Sequence, residues 1–387
     1  ENQLRNHIRM PGQRMQQFGM HGFEDLYRRI ERLRKTSCNY RELPAAPQKI
    51  LVLSRVTIGA DVAVASVLVQ RLARTFPEAE IVVIGGDKVN AMISGHPRVR
   101  TRTVSYARRG GLMERLLSWF KVLEVVDDEL SGLSQEQVLL ADPDSRLSQL
   151  GVLPLVADSS YLFFNSRSSH SYPLNLSISE MVNYWYNQVT AERDSCTPAV
   201  CLQPAVISQA KAATARLRAC GGKRLVSVNL GVGGNARKRV DDEFEQMLIL
   251  ELLREPETVV LLDKGFGPEE LERSNALLQA AINAGHKVVG TDFGALEEVA
   301  SDARLIGVAA GIDEAAALIG CIDEFIGYDS ACQHIAAAQD VPTYTIFAGS
   351  NNTRFVRRWC PTGLGRREII HVDTLTQPPI YNRQTIL

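Results

Sequence analysis

Ile50-Leu-Val-Leu-Ser-Arg-Val-Thr-Ile-Gly-Ala-Asp61 begins as an unbroken apolar run and then turns polar and glycine-bearing. A short apolar run closed by a turn reads as a strand buried on both faces. An amphipathic stretch follows from Val62 to Phe76, then the turn Pro77-Glu-Ala, then a second apolar run, Glu80-Ile-Val-Val-Ile84. Buried strand, loop, helix and parallel buried strand make the repeating unit of an open α/β sheet.

The pattern continues in both directions from this unit. Further strands are expected at Arg100 to Val104, Val138 to Ala141 and Tyr161 to Phe164. A turn-rich stretch, Asp194 to Pro204, interrupts the alternation, which then restarts with Leu225-Val-Ser-Val-Asn229. Thr258 to Asp263, Lys287-Val-Val-Gly, Glu324-Phe-Ile-Gly and Thr343 to Phe347 supply the later strands. The chain is therefore expected to hold two doubly wound, Rossmann-like domains, over 49–200 and 201–360. Residues 1–48 form a leader with nine Lys/Arg against five Asp/Glu and one short basic amphipathic helix, Phe23 to Leu33. It reads as a solvated arm or a subunit contact, with adhesion to an anionic membrane face as the sharper alternative. Residues 361–387 are expected as a tail packing back on the first domain.

Composition narrows the function. With 387 residues, two domains are the natural prior. A balance of 43 Lys+Arg against 44 Asp+Glu lacks the basic excess that nucleic-acid binding needs. No apolar run approaches the ~20 residues of a membrane span, and Glu1 to Arg9 is polar, without the core of a signal peptide. Seven scattered cysteines with no Cys-x-x-Cys pair read as reduced thiols of a cytoplasmic protein, not as a disulfide frame or a zinc site.

In an open α/β sheet, ligands bind beyond the carboxyl ends of the strands, so the chemistry is sought in those loops. Gly231-Val-Gly-Gly-Asn235-Ala-Arg-Lys238-Arg239 follows a strand. Its glycines let backbone N–H groups approach an anion, and Lys238 and Arg239 add positive charge, which suits a diphosphate. An ordinary strand-to-helix turn with exposed basic residues has the same look. Lys264-Gly265-Phe-Gly267 is a second such loop. Asp329-Ser-Ala-Cys-Gln-His334 follows a strand and opens a helix; Asp329 and Ser330 can cap it, or its free N–H groups can face a phosphate with His334 one turn in.

Asp329-Ser-Ala-Cys-Gln-His-Ile-Ala-Ala-Ala-Gln-Asp-Val-Pro-Thr-Tyr-Thr-Ile-Phe347 resembles the signature of glycosyltransferase family 9, the lipopolysaccharide heptosyltransferases. Ser54 to Asp61 is similar to that family's N-terminal Ser-x-x-Gly-Asp loop, with Phe76-Pro-Glu-Ala-Glu80 after it. Asn229-Leu-Gly231 with Lys238-Arg239 is similar to its Asn-x-Gly and downstream Lys-Arg. The matches run in order over 49–363. Three places depart from the family pattern: Gly59-Ala60-Asp61 is one residue longer, Ala331-Cys332 replaces Gly-Pro, and Ala348 to Asn352 replaces Gly-Pro-x-Asp-Pro.

The resemblance implies a GT-B fold with two Rossmann-like domains facing across a cleft, and inverting transfer without a metal. It implies a nucleoside-diphospho-sugar donor, ADP-linked heptose first, and a saccharide or glycolipid acceptor, with no cofactor. Asp61 takes the place of the loop carboxylate that serves as base; as a plain helix cap it would look the same. Gly231, Gly233, Asn235, Lys238, Arg239, Lys264, Gly265, Asp329, Ser330 and His334 fall on the donor side. Arg55, Asp142 and Arg146 fall on the acceptor side, with His170 a further guess that also fits a surface loop. Asp142-Pro-Asp144 after a strand is the rival motif, the metal clamp of a different transferase fold or an ordinary turn. The competing functions are an inactive sugar-nucleotide-binding homologue and a nicotinamide oxidoreductase. The latter lacks Gly-x-Gly-x-x-Gly after its first strand.

Overall fold

The computed structural model describes residues 12–106, 110–168, 170–299 and 302–374. The chain divides after Cys196 into two compact units. The first holds a five-stranded sheet of β1 (Lys49–Leu53), β2 (Glu80–Gly85), β3 (Val99–Thr103), β4 (Val138–Asp142) and β5 (Tyr161–Phe163). Its order is β3-β2-β1-β4-β5, and every pairing is parallel. Ile50 to Leu53 are wholly buried, as expected of a central strand covered on both faces. The order reverses between β1 and β4, so the loops after these two strands flank the switch point.

The second unit holds β6 (Arg224–Asn229), β7 (Thr258–Asp263), β8 (Val288–Asp292), β9 (Leu305–Ala309), β10 (Glu324–Tyr328), β11 (Thr343–Phe347) and β12 (Arg367–His371). This sheet is again parallel throughout, in the order β12-β11-β10-β6-β7-β9-β8, with its switch point between β6 and β10. Two Rossmann-like α/β units, the GT-B fold class, are thus present. Two of the strands, β9 and β12, have no counterpart among the strands expected from sequence.

Two terminal expectations need correction. Within the leader, whose residues 1–11 lie outside the described residues, the helix Phe23–Thr36 is no solvated arm, because it buries Arg29, Ile30 and Leu33 in the first unit. Trp185 Nε1 also donates to Ser37 O (2.7 Å), tying the end of that helix to the helix Ile178–Thr190. Of the tail expected over 361–387, residues 375–387 lie outside the described residues, and Arg367–His371 is a strand rather than a loose tail. It pairs with β11 as an edge strand of the second sheet. Gly363 and Gly365 allow this, since a Cβ on either would fall within 1.8 Å of Ala337 O or 2.3 Å of Asp340 O.

Candidate active site

At the first switch point, Asp61 lies in a helix that runs without a break through Ile58–Ala60, Asp61–Ala65 and Ser66–Thr75. Asp61–Ala65 is a π turn, in which Ser66 N–H donates to Asp61 O five residues back. Such turns hold one extra residue and gather at functional sites. The Asp61 carboxylate reaches back across its own loop. Its Oδ1 accepts from Arg55 N–H (2.6 Å) and its Oδ2 from Ser54 Oγ (2.8 Å). Ser54 Oγ in turn accepts from Val56 N–H (2.8 Å). That closure requires Val56 at φ +68°, a conformation that a β-branched side chain resists. Backbone strain of this kind collects where the fold holds a functional geometry. Burial lifts the Asp61 carboxyl to about 7, and the hydrogen bonds from Arg55 N–H and Ser54 oppose the shift only in part.

The loop after β4 lies beside it, for Ser145 Oγ donates to Ser54 O. Asp142, expected at the acceptor, is wholly buried. Its carboxylate accepts from Ser145 N–H (2.6 Å), Ser148 Oγ and Tyr161 OH. All of its reach is used inside the fold, so it braces the loop instead of meeting a ligand. Asp144 takes other donors, Ser166 Oγ and Arg167 Nη1, both at 2.5 Å. Each carboxylate of the rival Asp-x-Asp is thus taken up by its own set of partners. Of the residues expected at the acceptor, Arg146 and His170 are exposed and Arg55 is half-buried.

At the second switch point the glycine loop does bind an anion, but the anion belongs to the chain. Glu270 Oε1 accepts from Val232 N–H (3.1 Å) and Gly233 N–H (3.3 Å), and its Oε2 from Phe266 N–H (2.9 Å). The glycines make room for this carboxylate: a Cβ on Gly265 would lie 2.6 Å from Glu270 Oε2. Gly231 flanks the same carboxylate, and Asn235 is exposed beyond it. Arg239, expected at a diphosphate, is instead held by the buried Glu245 (2.7 Å) and by Asp242. Its charge is thus paired with two acidic residues of the first turn of the helix Asp242–Leu252.

Lys238 behaves differently. Its Nζ pairs with Asp329 Oδ2 (2.7 Å) and donates to Asp329 O (2.9 Å), so it stands at the start of the helix Ala331–Ala338. Ser330 precedes that helix and, among the described residues, makes no side-chain cap bond to its first N–H groups, which are donors of the kind an anion can use. Lys264 is half-buried on the loop after β7. His334, by contrast, is buried one turn in, against the Trp359 ring at 6.2 Å between centroids. Burial, helped by the Lys238 charge, lowers its pKa to about 4 and keeps it neutral. Its Nδ1 has no hydrogen-bond partner among the described residues. Sequence reasoning gave no role to Glu270, Ser145 or Tyr161, and named Ser54 only as the first residue of the Ser54 to Asp61 loop.

The family model described as glycosyltransferase family 9 (heptosyltransferase) matches residues 294–377. A solved glycosyl transferase family 9 protein from Veillonella parvula is similar at 16% identity and TM-score 0.61, covering 90% of this chain and 92% of its own. The E. coli ADP-heptose lipopolysaccharide heptosyltransferase II is similar at 17% identity and TM-score 0.56, over 88% and 94% of the two chains. The E. coli heptosyltransferase WaaC, solved with ADP, is similar at 14% identity and TM-score 0.50, over 84% and 93%. At these identities the likeness establishes the fold. No curated protein matches the sequence. The resemblance to glycosyltransferase family 9 therefore stands on the matched segment 294–377 and on a fold shared over most of the chain.

Proposed function

We propose that this chain is an inverting glycosyltransferase that needs neither metal nor cofactor. It takes a sugar, a heptose by family similarity, from a nucleoside-diphospho-sugar, ADP-linked on the same ground. The acceptor is a hydroxyl of a saccharide or glycolipid. The observation that carries the reading is Lys238 reaching the start of the helix Ala331–Ala338, a helix that lies inside the segment matching the family model.

The chemistry follows from what the two sites can do. The acceptor oxygen attacks the anomeric carbon, its proton passes to the Asp61 carboxylate, and the bond to the diphosphate oxygen breaks. A carboxyl titrating near 7 is suited to take that proton. The departing diphosphate gains negative charge, which Lys238 and the free helix N–H groups are suited to hold. Lys238 must then trade part of its pairing with Asp329 for the phosphate.

One observation favours a second reading, a homologue that binds the nucleotide without turning it over. Both oxygens of Asp61 are already engaged within its loop. A panel of nucleotide-sugars, examined by thermal shift and calorimetry and then for sugar release, separates the two. The transferase reading expects stabilisation by ADP-sugars with measurable transfer or hydrolysis; at 100 times the dissociation constant a ligand adds about 2.7 kcal/mol. Binding without turnover over the whole panel supports the second reading. Tight NAD binding with no response to any nucleoside diphosphate excludes both.

A further inference from the structure

The helix Phe23–Thr36 lies outside the residues that carry the family resemblance, yet a continuous set of contacts leads from it to the loop of Asp61. Arg29 is almost wholly buried, and its guanidinium lies 5.1 Å from the centre of the Tyr161 ring. Its Nε donates to Asp158 Oδ1 (2.8 Å) and its Nη1 to Gly151 O (2.7 Å), which fixes the group in place. Tyr161 OH donates to Asp142 Oδ2. Asp142 Oδ1 accepts from Ser145 N–H (2.6 Å), and Ser145 Oγ donates to Ser54 O. Ser54 Oγ finally donates to Asp61 Oδ2 (2.8 Å).

We propose that Arg29 and Tyr161 are positioning residues for the Asp61 loop, acting through Asp142 and Ser145, so that the N-terminal helix is a working part of the first site. The proposal rests on the reading of Asp61 as the base for its catalytic meaning, but the positioning itself is a property of the loop. Three features of the contacts support it. Arg29, Tyr161, Asp142, Ser145, Ser54 and Asp61 are all buried, so water cannot replace a lost partner at little cost. The loop that the contacts brace is strained at Val56 and cannot rest in this geometry unaided. Asp142 also has no role at the surface that would explain a buried carboxylate there.

The test uses the full chain with Tyr161→Phe, which removes one hydroxyl and leaves the core filled, and with Arg29→Met. Amide hydrogen exchange at Arg55 and Val56 reports the loop, since these N–H groups donate to Asp61 and Ser54. Both variants are expected to lose protection there by about tenfold or more while strands β2 and β6 keep theirs. Turnover of an ADP-heptose donor is expected to fall about tenfold in Tyr161→Phe with donor KM unchanged, a split that general loss of stability does not produce. If Arg29→Met does not fold, Tyr161→Phe alone decides. Unchanged protection at Arg55 and Val56 in a folded Tyr161→Phe overturns the proposal, even where Asp61→Asn is inactive. If Asp61→Asn stays active, the base reading falls, and the exchange result still decides the positioning.

Discussion

A buried carboxylate is costly unless its site uses the charge, and Asp61 presents that cost directly. Its folded pKa of about 7 stands above the ordinary 3.8, so between those values the folded chain keeps a proton the unfolded chain has lost. This group's contribution to stability is therefore fully present below the lower value and lost as pH rises through the upper one. Asp61→Asn should flatten that decline in melting temperature. As a base, Asp61 works only when deprotonated, so turnover of the natural chain should rise with pH through about 7. Asparagine keeps the size and a carbonyl for Arg55 N–H but cannot take a proton. Turnover should fall by ~10²–10⁴ with donor affinity unchanged, the span that general-base catalysis supplies. A variant retaining more than about a tenth of the activity would remove Asp61 from the role. Lys238 makes the matching case on the donor side. Lys238→Ala should weaken binding of a nucleoside diphosphate by about 1.5–3 kcal/mol in calorimetry, the scale of a charge-assisted contact. The same affinity in a folded variant would locate the diphosphate elsewhere, and inactivation by EDTA would direct attention to a metal.

At the scale of elements, the one-residue excess at Gly59-Ala60-Asp61 meets its structural answer in the π turn Asp61–Ala65. A π turn takes up one extra residue, so everything from Ser66 onward keeps the face it would have had without the insertion. Deleting Ala60 should therefore be tolerated, costing under about 2 kcal/mol in denaturant unfolding as the turn relaxes to regular helix. Deleting Val69 in the same helix should cost several times more, because it rotates the buried face by about 100°. Equal losses would show that the turn has another origin. The same comparison explains what sequence could tell. Strands such as β1 and β7 are legible because burial on both faces demands unbroken apolar runs. The strand β12 is not, since its residues are largely exposed and its place depends on Gly363 and Gly365 passing close to distant carbonyls. In the candidate site, the chemistry of the glycine loop was legible as anion-binding. The identity of the anion was not: the loop's N–H groups meet Glu270, which comes from a separate strand–helix unit. Nor does any propensity announce Val56 at positive φ, the feature on which the Asp61 contacts depend.

Across the whole molecule, the two units carry unequal evidence. Each has its own parallel sheet, its own core and its own switch point. The family match, however, lies entirely in the second unit, as do Lys238, Ser330 and the helix Ala331–Ala338. If the nucleotide is recognised there, recognition should survive separation of the units, whereas transfer should not, because Asp61 lies in the first. A domain with its own core can fold alone. The fragment 197–387 should then melt cooperatively and bind ADP within about tenfold of the intact chain, a difference of no more than about 1.4 kcal/mol. It should neither transfer nor hydrolyse an ADP-sugar, and the fragment 1–196 should not bind ADP. Calorimetry on the two purified fragments measures this directly. A folded second fragment without affinity for ADP would mean that Lys238 and the helix start are insufficient, and that the nucleotide needs groups from the first unit as well.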